Sequence, residues 1–309
     1  MTSLGCVEAL LAALCWSLCA LCFTSASNRV GTLPVNFVRL VMALPMLVVW
    51  HWITTGLLLP PSAPMRTWVF LGLSGLVGFL LGDMCLIRSF MLIGPRRSLL
   101  VMTLWPALAA LAGWLILGER LTPMAIAGIA ITMAGIVWVE LESGSDSPGI
   151  ARAERVKGIV FSVLGALGQA SGFVLSKAGM QLHDPVTGLA SDYNAVAANI
   201  IRASAALAGF VVVNAALRRW GTVAASVRHG HAMLFTAVGA MLGPFIGVVL
   251  ALRALQHAPV GIASVLISTS PVMIVPFSML FYRERVTLRA VLGACVVVGG
   301  VCLLFMQPK

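Results

Sequence analysis

Apolar residues in this chain fall into long runs separated by short polar stretches. Ten runs can be marked, at approximately 4–26, 35–54, 67–88, 97–117, 122–140, 157–178, 196–217, 232–253, 259–281 and 287–306. Each is near the length a helix needs to cross a bilayer, about 20 residues. The first run reads as a true span. It lacks a basic leading segment, and its stretch from Leu4 to Ala26 exceeds the apolar region of a removable signal. One connector stands apart. Residues 141–156 contain Ser143-Gly144-Ser145-Asp146-Ser147-Pro148-Gly149, a polar Gly/Ser/Pro composition typical of a linker.

The linker divides the ten runs into five and five, and the second five repeat the first. At a shift of 165 positions, Gly78 and Gly82 fall on Gly243 and Gly247, and Arg88 on Arg253. Pro106 falls on Pro271, Glu119-Arg120 on Glu284-Arg285, Thr122 on Thr287, and Gly128 and Gly135 on Gly293 and Gly300. At a shift of 163, Asn36-Phe37-Val38-Arg39 meets Asn199-Ile200-Ile201-Arg202. Five spans is an odd number, so the second half enters the membrane from the opposite side. The expected fold is all-α and integral to the membrane, with ten transmembrane helices arranged as two inverted five-helix repeats around a central cavity. The repeats are residues 1–140 and 157–309, joined by the linker at 141–156.

Composition sets the solvent. Sixty per cent of residues are hydrophobic, 10% are charged, and the mean hydropathy is +1.02. A soluble domain of this length cannot bury so much apolar surface, so membrane lipid is its first partner. The net charge of +10 changes little. The basic residues are scattered at the ends of apolar runs, where they anchor helices at the interface. No basic face or aromatic reading platform points to nucleic acid. Seven cysteines do not make a disulfide framework. Cys15, Cys19 and Cys22 share one helical face. Packing by small apolar residues explains them, whereas a soft-metal site lacks a His or Met cluster in register. Neither a metal nor a cofactor is expected.

The chain resembles the EamA-type members of the drug/metabolite transporter superfamily over nearly its whole length. The resemblance rests on Leu11-Ala12-Ala13-Leu14-Cys15-Trp16-Ser17, on Arg39, and on Pro106 through Gly118-Glu119-Arg120-Leu121-Thr122. It rests further on the Gly128/Gly135 pattern and on the second copy from Pro271 to Thr287, where Tyr282-Arg283-Glu284-Arg285 replaces the Gly-Glu-Arg element. It implies a bacterial inner-membrane carrier, often an exporter of amino acids, metabolites or drugs. It names no substrate.

Polar groups inside lipid are costly, so each needs an account. Arg39 lies one turn inside span two and Asp83 one turn before the end of span three, at the same depth. They are expected to pair, either to orient two helices or to carry a coupling proton. Arg202 matches Arg39, but the partner position is Val248, so Arg202 has no equivalent acid. Backbone carbonyls, Asp184, Asp192 or an anionic substrate group are its candidate partners. Trp16 meets Gln169 at a shift of 153, and both fall near mid-span. Trp16 is a candidate platform for an apolar or aromatic substrate. Gln169 and Ser171 are candidates for interhelical hydrogen bonds or cavity lining, within a Gly168-x-x-x-Gly172 spacing that allows close helix contact.

Pro106 and Pro271 each remove a backbone donor in mid-span, so carbonyls near Met102 and Ile267 need other partners. Thr103 and Ser268 stand beside them. A kink and a hinge are both compatible with these positions. The Glu119-Arg120 turn reads as solvated charge, Lys177 as a snorkelling side chain, and Glu8 as a helix-end charge. The five histidines all fall at span ends or in loops, which disfavours a histidine proton relay.

Gly72-Leu73-Ser74-Gly75 fits the pattern of an intramembrane serine protease, but no histidine lies deep in a span to act as base. No nucleotide-binding loop supports an ATP-driven pump. A passive channel lacks a ring of repeated polar residues. The sequence therefore points to a secondary carrier for a small-molecule substrate, with a coupling proton as candidate partner and no bar to a homo-oligomer. Orientation stays open. Basic residues number five on the side of the termini (Arg66, Arg120, Lys177, Arg253 and Lys309) and thirteen on the other. That count places the termini outside, whereas the resemblance implies cytoplasmic termini.

Overall fold

A computed structural model describes residues 3–93, 98, 101–142, 152–183, 190–270, 272–273 and 288–306. They form α1 (Ser3–Val30), α2 (Thr32–Thr55), α3 (Met65–Gly75), α4 (Asp83–Ile93), α5 (Trp105–Leu117), α6 (Pro123–Glu142) and α7 (Arg152–Met180). After a two-stranded hairpin, β1 (Gln181–His183) and β2 (Ala190–Asp192), come α8 (Ala195–Ala216), α9 (Trp220–Val227), α10 (Gly230–Ala240), α11 (Val248–His257), α12 (Val260–Ile267) and α13 (Leu288–Phe305). Among the described residues, six helical rods are long and apolar enough to cross a membrane: 3–30, 32–55, 65–93, 152–180, 195–216 and 230–257. Three apolar helices are shorter, Trp105–Leu117, Pro123–Trp138 and Leu292–Phe305. The run at 259–281 is described only through α12 and a few residues beyond it. Most of the linker and Pro271 lie outside the described residues. Helix α9 and the hairpin fall between apolar runs and were not expected.

Local chemistry sets the boundaries. Gly31, at φ 86°, is the single residue between α1 and α2, a conformation that side chains with a Cβ disfavour. Asn194 caps α8 by accepting hydrogen bonds from the amides of Val196 (2.9 Å) and Ala197 (3.1 Å). Many large apolar side chains are exposed, Trp50, Trp52, Ile53, Trp114, Leu115 and Ile116 among them, as a lipid-facing surface allows.

Two backbone irregularities recur at the 165-residue shift. The rods 65–93 and 230–257 are each widened by a π-helical segment, Leu76–Gly82 and Met241–Gly247. Thr103–Leu104 and Ser268–Thr269 are both non-helical turns that interrupt a helix. The second pair refines an expectation. Pro106 does not kink a continuous helix; the helix breaks one turn earlier, and Pro106 sits in the first turn of α5, where its missing N–H costs nothing.

Glycines set how the halves meet. A Cβ on Gly168 would lie 2.8 Å from the Gly82 Cα, and one on Gly172 would lie 3.1 Å from the Gly78 Cα. Helix α7 therefore touches the first π segment backbone to backbone. In the other half, a Cβ on Gly247 would lie 2.6 Å from Trp16, and one on Gly243 would lie 3.1 Å from Cys19. So α1 lies on the second π segment. The first helix of each half packs against the third rod of the other. Helices α6 and α13 meet reciprocally: Gly128 faces Gly300 (3.2 Å to its carbonyl) and Gly135 faces Gly293 (3.0 Å). Gly128 matches Gly293 and Gly135 matches Gly300, so this contact has the self-complementary form of a two-fold.

The tightest of these sites gives a stability prediction. A Cβ on Gly75 would lie 2.1 Å from the Arg202 carbonyl, and backbone cannot move aside cheaply. Gly75→Ala is expected to destabilise by about 1–3 kcal/mol, the usual cost of overpacking. Gly221→Ala, with nothing within 4 Å, is expected to be neutral. Thermal melting in detergent compares the two.

Candidate functional site

The centre of the molecule is aromatic and contributed by both halves. Trp16 on α1 meets the Phe173 ring edge-on at 6.2 Å, and Phe173 meets Trp105 at 5.2 Å. Phe173 and Trp105 are buried, and Trp16 is half-buried. The sequence singled out Trp16 but not its two neighbours. Phe173 and Trp105 sit in apolar runs, where one aromatic residue resembles any other until the helices are assembled. Gln169 and Ser171 lie on α7 within the glycine contact, both half-buried.

Around these rings the helices break. Thr103 and Ser268, each 8% exposed, occupy the matching turns. Among the described residues, the Ser268 hydroxyl and that of Ser264, one turn earlier, are buried without a hydrogen-bond partner. Ser17 reaches the same place from α1. Its hydroxyl is 2.7 Å from the Ser270 carbonyl and 2.8 Å from the Ala13 carbonyl. Thus α1 is tied to the interruption after α12. Interrupted helices put polar backbone where continuous ones cannot, and such backbone persists inside a membrane only when it is buried in protein or lines a wet cavity.

Two arginines stand on matching helices in different surroundings. Arg39 on α2 forms an ion pair with Asp83, whose residue opens α4 directly after the first π segment. Its guanidinium also lies 5.5 Å from the Phe23 ring centre. Arg202 on α8 is 2% exposed and forms no ion pair among the described residues. Its Nε donates to Ser74 Oγ at 2.9 Å, and its guanidinium lies 4.8 Å from the Phe79 ring centre. Ser74 in turn donates to the Leu71 carbonyl at 2.7 Å. Asp192 is exposed in the hairpin, and Asp184 lies outside the described residues. Ser74 is thus occupied in holding an arginine.

The sequence reading missed two ionic clusters. Glu8 is 4% exposed, not solvated at a helix end. Arg253 Nε lies 2.7 Å from one of its oxygens and His257 Nδ1 lies 2.8 Å from the other. Glu119 pairs with Lys177 at 2.7 Å, with side chains 14% and 12% exposed. The turn after α5 explains how. Gly118 adopts φ 66°, and the Glu119 amide bonds back to the Gly113 carbonyl at 3.2 Å, a Schellman-type stop. That folds the Glu119 carboxylate over Gly113, where it accepts the Val260 amide at 2.7 Å. Val260 opens α12, so the carboxylate meets an orphan N–H at the positive end of a helix. Lys177 also donates to the Ala258 carbonyl at 2.6 Å. The available signal was depth: all five residues fall near the ends of apolar runs, and the ten-run reading puts those ends at one level.

A model of the EamA-like transporter family matches residues 3–141 and again residues 156–306. The fold is similar to that of a solved crystal structure, with TM-score 0.72, 20% sequence identity, and coverage of 98% of this chain and 96% of that one. No curated protein matches the chain.

The Arg39–Asp83 pair gives a test. Removing one partner strands a charge in a mostly buried place. Asp83→Ala is expected to cost about 3 kcal/mol, the low end for a buried pair because both side chains keep some exposure. Arg39→Ala combined with Asp83→Ala is expected to recover part of that. Melting of the two singles and the double closes the cycle, and additive losses would show that the pair does not couple.

Proposed function

The chain belongs to the EamA-like transporter family and is an integral, multi-pass membrane transporter of the drug/metabolite type; from that premise we propose a secondary active carrier. It spans the membrane ten times, as two inverted five-helix repeats at 1–140 and 157–309. It works by alternating access and exports small metabolites, amino acids or drugs from the cytoplasm across a bacterial inner membrane. A substrate or proton gradient drives it.

One observation carries this reading. The halves exchange their first helices in a reciprocal, glycine-lined contact, with the π segments and helix interruptions at matching positions. Two like units of opposite direction leave a path between them, and substrate sites in such folds lie at the repeat interface. Trp16 supplies an apolar face, while Thr103, Ser268, Gln169 and Ser171 supply polar lining. Pro106 and Pro271 mark the broken helices that flex as access alternates. Arg202 is a buried cation without a carboxylate partner among the described residues, and it attracts an anionic group of the substrate. Arg39 and Asp83 orient their helices or carry the coupling proton.

The test compares the media of cells expressing wild type, Arg202→Ala or empty vector, with both proteins at equal membrane level. A compound is expected to accumulate outside only with the wild type. Loss of a charge-assisted hydrogen bond to that compound lowers export by roughly ten- to a hundredfold in Arg202→Ala. Media that all match empty vector would overturn export of ordinary metabolites. Equal export by wild type and variant would remove Arg202 from the site. With the compound in hand, saturable flux and counterflow in vesicles separate a carrier from a channel.

A further inference from the structure

We propose that Glu8, Arg253 and His257, together with Glu119 and Lys177, form a latch that closes the path at the membrane face where α1 begins. The proposal rests on the alternating-access reading and names the residues that gate it at one end. Both clusters join the two halves. Glu8 is on α1 of the first half, and Arg253 and His257 are on α11 of the second. Glu119 follows α5 of the first half, and Lys177, Ala258 and Val260 belong to the second. Tyr193 adds a third tie, donating from its hydroxyl to the Pro61 carbonyl at 2.8 Å while its own carbonyl accepts from Gln256 at 2.8 Å.

The chemistry suits contacts that open and close. Glycine contacts between backbones have nothing to put in their place when they part. Ion pairs that border a surface cavity exchange their partners for water when the helices part. Arg253 and His257 keep 50% and 32% of their side-chain surface. A surface cavity of about 380 Å³ lies at this end, lined by Glu119, Arg120, Lys177, Gln256 and His257 among others. Glu119, Lys177 and His257 thus border space open to solvent at this face.

The latch also has leverage on the centre. Glu8 is eight residues before Trp16 on one helix, about 12 Å of helical rise. Glu119 caps the first residue of α12, whose other end is the Ser268 turn, again about 12 Å away. Each cluster thus holds the outer end of a helix that carries a candidate substrate residue about 12 Å further in, Trp16 midway along α1 and Ser268 after α12. Releasing the latch frees both helix ends together.

The reporter is Cys6, 1% exposed on α1 beside Glu8. A protein retaining Cys6 alone, with the other six cysteines replaced by serine, is reconstituted in vesicles. It is exposed to a membrane-impermeant maleimide from one face and then from the other. Glu119→Gln keeps shape and lies on the cluster not beside Cys6, so its effect is not a local change around the reporter. Glu119→Gln is expected to speed labelling from the α1 face by about 5- to 150-fold, the range of ordinary coupling between sites, and leave labelling from the other face unchanged. Glu8→Gln should do the same. Unchanged labelling in both variants, or equal acceleration from both faces, overturns the latch. Wild-type flux that fails to saturate overturns the carrier reading instead, so the two failures are distinct.

Discussion

Close approach of backbone to backbone at glycine is the constraint on which this structure depends. In lipid, helices gain little from hiding apolar surface, because the tails outside are as apolar as the side chains inside. Association must come from shape. Gly168 and Gly172 against Gly82 and Gly78, and Trp16 and Cys19 against Gly247 and Gly243, bring α1 and α7 across to the opposite half. Gly128 and Gly135 do the same for α6 with Gly300 and Gly293 of α13. The aromatic centre, the buried arginine beside Gly75 and the interrupted helices all take their positions from these crossings.

Polar groups are then distributed by depth. Hydroxyls and carbonyls at the interruptions sit near the centre, where Ser17 ties α1 to Ser270. A buried arginine and its serine lie on the first π-widened rod and α8. Full ion pairs between halves stand at the α1 end, next to a cavity that water can enter. A serine cluster, Ser89 with Ser98 and Ser162 at 2.6 and 2.5 Å, joins α4 to α7. The arrangement keeps the ion pairs between halves near the surface and leaves the interior to neutral donors and acceptors, apart from Arg202 and the mostly buried Arg39–Asp83 pair.

Much of the fold was legible because its signals are periodic and strong. Apolar runs placed the described helices other than α9 to within a few residues, and the family followed from Leu11–Ser17, Arg39, the Gly128/Gly135 pattern and the duplicated Pro106-to-Thr122 pattern taken together. Depth matching put Arg39 and Asp83 at one level, and they do meet. The same logic was not applied to Glu8, Arg253 and His257, or to Glu119 and Lys177. Each charge was weighed alone at its own helix end, where solvation is the simpler account. Only the packing of α1 on α11, and the fold-back at Gly118, removes them from water. The interruptions at Thr103 and Ser268 were read as proline kinks because sequence marks the missing donor, not where the chain chooses to break. Phe173 and Trp105 were invisible as partners of Trp16 for a different reason: their meeting depends on the crossing of three helices.

The central claim is that the halves are alike in fold and opposite in direction across the membrane. Leu58 and Gly221 occupy matching places at the 163-residue shift, each after the second long helix of its half. Leu58 is 60% exposed, and nothing lies within 4 Å of a Cβ at Gly221. Leu58→Cys and Gly221→Cys, each in a cysteine-free background, are to be labelled in intact cells with an impermeant maleimide. Inverted repeats predict that one position labels and the other does so only after the membrane is opened. Labelling of both from the same side would contradict the account.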